Sequence, residues 1–144
     1  MSLSLDLVTT AIFVRVRDGV AELPRNVSVV FDGTRATLPT DHPWCRVTVR
    51  GLPTATRTLG AVGDRLAERR AQVVVQVFCP LGDGDGPGHA LELAEQIRPL
   101  VEGTDLETSD GSIHFTGADV RPIGVDGPWY QANVDARLTY HQSI

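Results

Sequence analysis

Gln72-Val-Val-Val-Gln-Val-Phe-Cys79, closed by Pro80, decides the fold. Val73, Val75, Val77 and Cys79 fall on one face of an extended chain, and Gln72, Val74, Gln76 and Phe78 on the other. Proline cannot donate to a strand ladder, so the strand stops there. A glycine-rich connection, Leu81 to Gly88, follows. A helical stripe then opens with Pro87 in the first turn and Ala90, Leu93, Ala94 and Ile97 as its apolar face. Pro99 ends or kinks this helix and Gly103 closes the region.

Outward from this unit the pattern is strand on both sides. Upstream, Trp44 to Arg50 alternates, with Cys45, Val47 and Val49 on one face and Trp44, Arg46, Thr48 and Arg50 on the other. Thr54 to Leu59 is a polar strand candidate. With Gly60 and Gly63 it predicts a hairpin returning through Arg69. Val27 to Asp32 reads as a short strand ended by Gly33, and Thr37 to Pro43 as a loop. Downstream, Ile113 to Phe115 and Val120 to Val125 are short strands, and Asp126-Gly127-Pro128 is a turn. Trp129 to His141 is a long alternating strand, with Tyr130, Ala132, Val134, Ala136, Leu138 and Tyr140 on one face and polar residues on the other. Such alternation marks an antiparallel sheet with one wet face.

The opening segment, Ser4 to Asp18, has two readings. Leu5, Val8, Ile12 and Val16 recur at helical spacing, with Ser4 as cap and Gly19 as terminator. Val14-Arg15-Val16-Arg17 alternates like a strand. The longer periodicity favours helix. The expectation is a single α+β domain over residues 1–144, a mainly antiparallel sheet with one or two packed helices.

Composition narrows the function classes. The chain has 144 residues, 42% hydrophobic and 22% charged, with net charge -5 and no lysine. Its length suffices for a core without staples. The acidic balance disfavours a nucleic-acid clamp, which needs clustered positive charge. No apolar run approaches the ~18 residues of a membrane span, and no basic segment precedes an apolar leader core. Two cysteines, Cys45 and Cys79, are too few for a closed thiolate zinc site, and reduced thiols in a cytoplasmic setting are expected.

Motifs that carry chemistry are nearly absent from the sequence. Gly82-Asp83-Gly84-Asp85-Gly86 begins like a calcium loop, but its twelfth position from Asp83 is Ala94 where a bidentate Glu belongs. As a phosphate cradle it lacks Gly-Lys-Ser/Thr, and Pro87 stands where a dinucleotide fingerprint needs its third Gly. It reads as a connecting loop. His42, His89, His114 and His141 lie apart; His42 stands three before Cys45, His89 three before Glu92 and His114 four after Asp110, and none of these pairs extends to the three or four ligands a metal needs. Both cysteines continue valine faces, where a thiol packs as a small hydrophobe. There is no nucleophile elbow. No catalytic, cofactor or metal residue is assigned.

Two groups point to contacts instead. Trp44 and Trp129, with Phe78, fall opposite the apolar stripes, so either helices cover that face or part of it meets a partner. Arg65, Arg69 and Arg70 are interleaved with Asp64 and Glu68, as in a salt-bridged hairpin or a subunit contact rather than a nucleic-acid patch.

Val73 to Pro80, the glycine-rich loop and Ala90-Leu-Glu-Leu-Ala-Glu-Gln-Ile97, taken in order, resemble tail-terminator or tail-completion proteins of long-tailed bacteriophages. So do the flanking Trp44 to Val49, Thr58-Leu-Gly60 and Gly127-Pro-Trp-Tyr-Gln-Ala-Asn-Val134. The resemblance spans roughly residues 25–141. It implies a homo-hexameric ring in the virion tail, assembled in the bacterial cytoplasm. Such a ring caps the tail tube protein, stops its polymerisation, presents a surface to head-completion or connector proteins, and lets DNA pass without specific binding. It implies no cofactor, no membrane and no catalytic residue. In that setting Trp44, Arg65, Arg69, Arg70 and Trp129 are candidate interface residues, and Asp83 and Asp85 candidate lumen residues. The competing readings are another tube or connector subunit, and a ligand-binding module using the loop over residues 81–88.

Overall fold

The computed structural model describes residues 2–35, 37–53, 58–60, 65–83 and 86–143. Two helices pack on one face of a single sheet, so the fold is α+β as expected. The strands are β1 (Ser28–Phe31), β2 (Trp44–Leu52), β3 (Thr58–Leu59), β4 (Leu66–Pro80), β5 (Asp105–Thr108), β6 (Gly111–Asp126) and β7 (Trp129–Ser143). Their spatial order is β1-β2-β4-β7-β6-β5, with β3 added to the flank of β4. β1 runs parallel to β2; the other pairings are antiparallel.

β4 and β7 are the spine. They pair without a break from Leu66↔Ser143 to Pro80↔Trp129. This register sets Val73 beside Ala136, Val75 beside Val134 and Val77 beside Ala132, all buried on the helix side. The alternation visible in the sequence is therefore the core pattern. β4 is longer than the valine run alone predicts, because the hairpin return through Arg69 and the run from Gln72 form one strand. Likewise β6 joins the two short strands expected around Ile113 and Val120. Its register shifts, between Phe115 and Gly117 and between Pro122 and Gly124, are where the sequence pattern breaks.

Helix α1 (Leu5–Ala21) settles the ambiguous opening segment as helix. Val8, Ile12, Val16 and Val20 are its buried face, and Phe13 stacks on Phe31 of β1 at 4.2 Å. Two expectations are corrected. Ser4 stands at the N-cap, but its hydroxyl bonds Asp6 instead of capping the helix. Gly19 does not end the helix, which runs on to Ala21. It gives room to Leu100, whose Cδ2 would lie 2.3 Å from a Cβ there. Helix α2 (Gly86–Ile97) buries Ala90, Leu93, Ala94 and Ile97, and a 3-10 turn, Arg98–Val101, follows at Pro99. β5 was not anticipated from the sequence. Its four residues alternate only as exposed and half-buried, so they carry no apolar stripe.

The N-terminal residues are tied to the spine. Leu3 N donates to His141 O at 3.1 Å, Ser143 N donates to Ser2 Oγ at 3.0 Å, and the Leu3 side chain is buried.

Candidate assembly surface

With both helices on one face, the other face of the sheet is left uncovered. Its side chains come from Trp44, Arg46, Thr48 and Arg50 of β2, Glu68, Arg70, Gln72, Val74, Gln76 and Phe78 of β4, and the odd positions of β7 from Trp129. Asp105 and Glu107 of β5 and Asp119 and Arg121 of β6 complete it.

At one end the aromatics cover one another. Trp44 stacks on Phe78 with centroids 4.2 Å apart and meets Trp129 edge-on at 6.1 Å. Val30 completes the cluster. Trp44 is 3% exposed and Phe78 4% exposed, while Trp129 is half-buried. No helix among the described residues lies over these rings, yet two of the three are already buried within the chain. The Arg46 guanidinium lies 5.3 Å from the Trp44 ring centre, a cation–π arrangement. The Trp44 Nε1 atom is buried with no hydrogen-bond partner among the described residues.

Across the rest of the face, charge is arranged by strand. Arg70 of β4 begins a row that continues through Thr139 and His114 to Asp105 of β5. Arg50, Gln72 and Arg137 form the next row, then Thr48, Val74, Asp135 and Asp119. The open face of β2 and β4 carries Arg46, Arg50 and Arg70 against Glu68, that of β6 and β5 carries Asp119, Asp105 and Glu107 against Arg121, and β7 between them carries Asp135 and Arg137, so a net positive charge lies toward β2 and β4 and a net negative charge toward β6 and β5. Arg121 pairs with Asp135, and His114 Nδ1 lies 3.0 Å from Asp105. Arg46, Arg50 and Arg70 enter no ion pair among the described residues. A shallow recess of about 690 Å³ opens on this face, walled by Gln72, Arg137, Arg121, Asp135, Asp119 and Glu102.

The three arginines singled out in the sequence are not one patch. Arg65 is exposed just before β4, and Arg70 is exposed on the open face. Arg69 points to the helix side of the sheet, half-buried, and donates from Nε to Gln142 Oε1 at 3.2 Å. Asp64, expected to neutralise them, lies outside the described residues, as does most of the candidate strand from Thr54. Of the acidic loop pair, Asp83 belongs to a 3-10 turn, Leu81–Asp83, and Asp85 lies outside the described residues.

Other titratable groups are tied into the fold. Glu102 accepts from Arg98 Nε at 3.1 Å and from the Ala118 amide at 2.8 Å. These bonds, the arginine first, hold its carboxyl below the usual range. Burial pushes the Cys45 thiol up to about 12. Such a thiol is a poor nucleophile, since the thiolate is the reactive form. His42 stands between Asp41 and Ser28, at 2.8 Å from each. Among the described residues no group of three or more His, Cys, Asp or Glu converges as metal ligands do, and no helix is long and apolar enough to cross a membrane. The exposed large apolar side chains include Ile123 and Val125 near the β6–β7 turn and Leu5, Leu7 and Val14 on α1.

A family model described as phage tail terminator protein matches residues 8–137. A solved structure 17% identical in sequence superposes with a TM-score of 0.71, covering 99% of this chain and 96% of that one, and at that identity it speaks for the fold alone. No curated protein matches.

Proposed function

Since the chain belongs to the phage tail terminator family, and so serves as a structural component of a phage tail, we propose that its subunits close into a hexameric ring. The ring caps the tail tube of a long-tailed phage, stops tube polymerisation and offers the surface to which head-completion or connector proteins join. DNA passes through its lumen without specific binding. The observation that carries this reading is the family match, which spans α1 through most of β7.

Two features support self-assembly. A ring needs a heterologous contact, made by two different patches of one subunit. Among the described residues one face of the sheet has no helical layer, and its net charge is positive toward β2 and β4 and negative toward β6 and β5, so a subunit has unlike patches to offer. The titratable groups described above serve packing and capping, which suits a role that turns over no substrate.

The test is assembly. Light scattering over a range of concentrations, with and without purified tail tubes, should give a discrete mass near six subunits or capture at one end of each tube. Tubes so capped should stop growing when tube protein is added. Open-ended polymers of this chain would make it a tube subunit, and a monomer that no tube captures would end the terminator reading.

A further inference from the structure

We propose that the subunit–subunit contact joins the arginine side of the open sheet face, Arg50 and Arg70 with Arg46 behind them, to the carboxylate side, Asp105, Glu107 and Asp119, of a second copy of this chain. The inference rests on the ring reading and names the surfaces that make the ring.

Across the strands, Arg50 on β2 and Glu107 on β5 are four spacings apart, roughly 19 Å, and Arg70 on β4 and Asp119 on β6 are two, roughly 10 Å at ~4.8 Å per strand. Both exceed the Debye length of about 8 Å at physiological ionic strength. The two sides of one subunit therefore do not neutralise each other. The arginines of β2 and β4 have no ionic partner among the described residues. On the far side Asp119 lies directly across from Asp135, whose own charge is taken by Arg121. Asp119 is thus a carboxylate with a like-charged neighbour and no cation of its own among the described residues. Each side, with Glu68 among the arginines and Arg121 among the carboxylates, carries a net excess of the charge opposite to the other's.

Geometry makes the contact directional. A subunit with a basic side and an acidic side meets its neighbour head to tail, and repetition of that contact closes a ring when the rotation permits. β6 beyond β5 is a poor template for strand addition. Pro122 removes a backbone donor, and two register shifts kink the strand. The contact is therefore carried by side chains across the face and is not a continuation of the sheet. Charge pairs of this kind set partner choice and orientation, and they weaken with salt.

The experiment uses the full chain in two charge-reversed forms, Arg50→Glu with Arg70→Glu, and Glu107→Arg with Asp119→Arg. All four positions are exposed, and circular dichroism checks folding. If either double variant does not fold, Arg70→Glu and Asp119→Arg replace it singly. Each form alone should require at least about tenfold higher concentration than wild type to reach half assembly, free or on tubes. An equimolar mixture should regain the wild-type mass, with the two forms in equal number by native mass spectrometry, because every contact then pairs opposite charges. Wild type that assembles while either variant does so equally well, or while the mixture stays apart, overturns the inference and leaves the ring. Wild type that neither self-assembles nor caps tubes removes the ring and the inference together. Variant rings of normal mass whose only defect is weaker retention of duplex DNA would place the arginines in the lumen, which also overturns it.

Discussion

Replacing Trp44 by Phe should be nearly neutral, whereas replacing it by Ala should be among the costlier changes on the open face. The ring is 3% exposed, stacked on Phe78 at 4.2 Å and met edge-on by Trp129 at 6.1 Å. Truncation of such a side chain costs about 3–5 kcal/mol in a well-packed site. Here the lower end applies, because Trp129 is only half-buried and can partly collapse into the space. Phe keeps an aromatic ring on Cβ that can stack on Phe78. It gives up three ring atoms, two carbons and the nitrogen, and the two carbons are worth about 1.6 kcal/mol at ~0.8 kcal/mol per methylene-sized group. It also deletes the buried Nε1–H that has no acceptor among the described residues, and an unsatisfied buried donor costs about 1–3 kcal/mol. The two terms oppose each other, so Trp44→Phe should stay within about 1 kcal/mol of wild type. Urea unfolding followed by far-ultraviolet circular dichroism measures both variants on one footing, provided the slope with denaturant is unchanged. Equal losses for Phe and Ala would refute the reasoning, because they would mean that the indole nitrogen, not the stack, holds the site. Assembly of the Phe variant should match wild type, since Trp44 has little surface left for a partner.

Three further outcomes follow from local geometry. The Cys45 thiol, raised by burial from 9.0 to about 12, keeps its proton in the folded chain when the unfolded chain has lost it. Stability from this group is therefore complete below pH 9 and falls as pH rises from 9 toward 12; denaturation at stepped pH should show a decline that Cys45→Ala lacks. Gly19→Ala should destabilise, because the new Cβ meets Leu100 at 2.3 Å and overpacking costs about 1–3 kcal/mol. In a Leu100→Ala background the same change should instead stabilise by up to about 1 kcal/mol through helix propensity, and a thermal melt without that sign reversal would exclude Leu100 as the cause. Glu102, whose carboxyl accepts from Arg98 and from the Ala118 amide, loses these bonds when protonated, so its contribution falls as pH drops through the carboxylate range. Glu102→Ala should speed hydrogen exchange at the Ala118 amide, and unchanged protection there would show that another group holds that edge of β6.

Much of this fold was legible in the sequence because its core is written as period-two stripes. The valines of β4 and the alternating residues of β7 pair across the spine in the register that burial demands. The helices announced themselves through three- and four-residue spacing, although Val14 to Arg17 imitated a strand. What stayed hidden has physical causes. β5 lacks an apolar stripe and is a strand only because β6 offers it an edge. The Gly19 reading failed because a glycine that makes room for Leu100, a residue distant in sequence, looks the same as one that ends a helix. The candidate surface was harder still. Arg69 and Arg70 are adjacent in sequence and lie on opposite faces of a sheet. Arg50, Arg70, Asp105 and Asp119 belong to four strands and come into relation only through pairing. The aromatic cluster was half legible: alternation put Trp44, Phe78 and Trp129 on one face, but their mutual burial depends on cross-strand neighbours.

The order of strands in space differs from their order along the chain, and this bears on synthesis. β7 follows all the other described strands along the chain, yet it lies between β4 and β6, paired with β4 from end to end and with β6 from Trp129 to Thr139. Until it emerges from the ribosome, β2 with β4 and β5 with β6 are two separate ribbons, each with an edge waiting for a strand that does not yet exist. The fold therefore cannot be acquired piecemeal from the first residues onward, and it closes only after translation has passed Trp129. A nascent chain stalled earlier holds the valine stripe of β4 beside an unpaired edge, the kind of intermediate that aggregates or recruits chaperones. A premature stop upstream of Trp129 should accordingly leave insoluble or degraded protein in the infected cell, not a shortened subunit that poisons the tail.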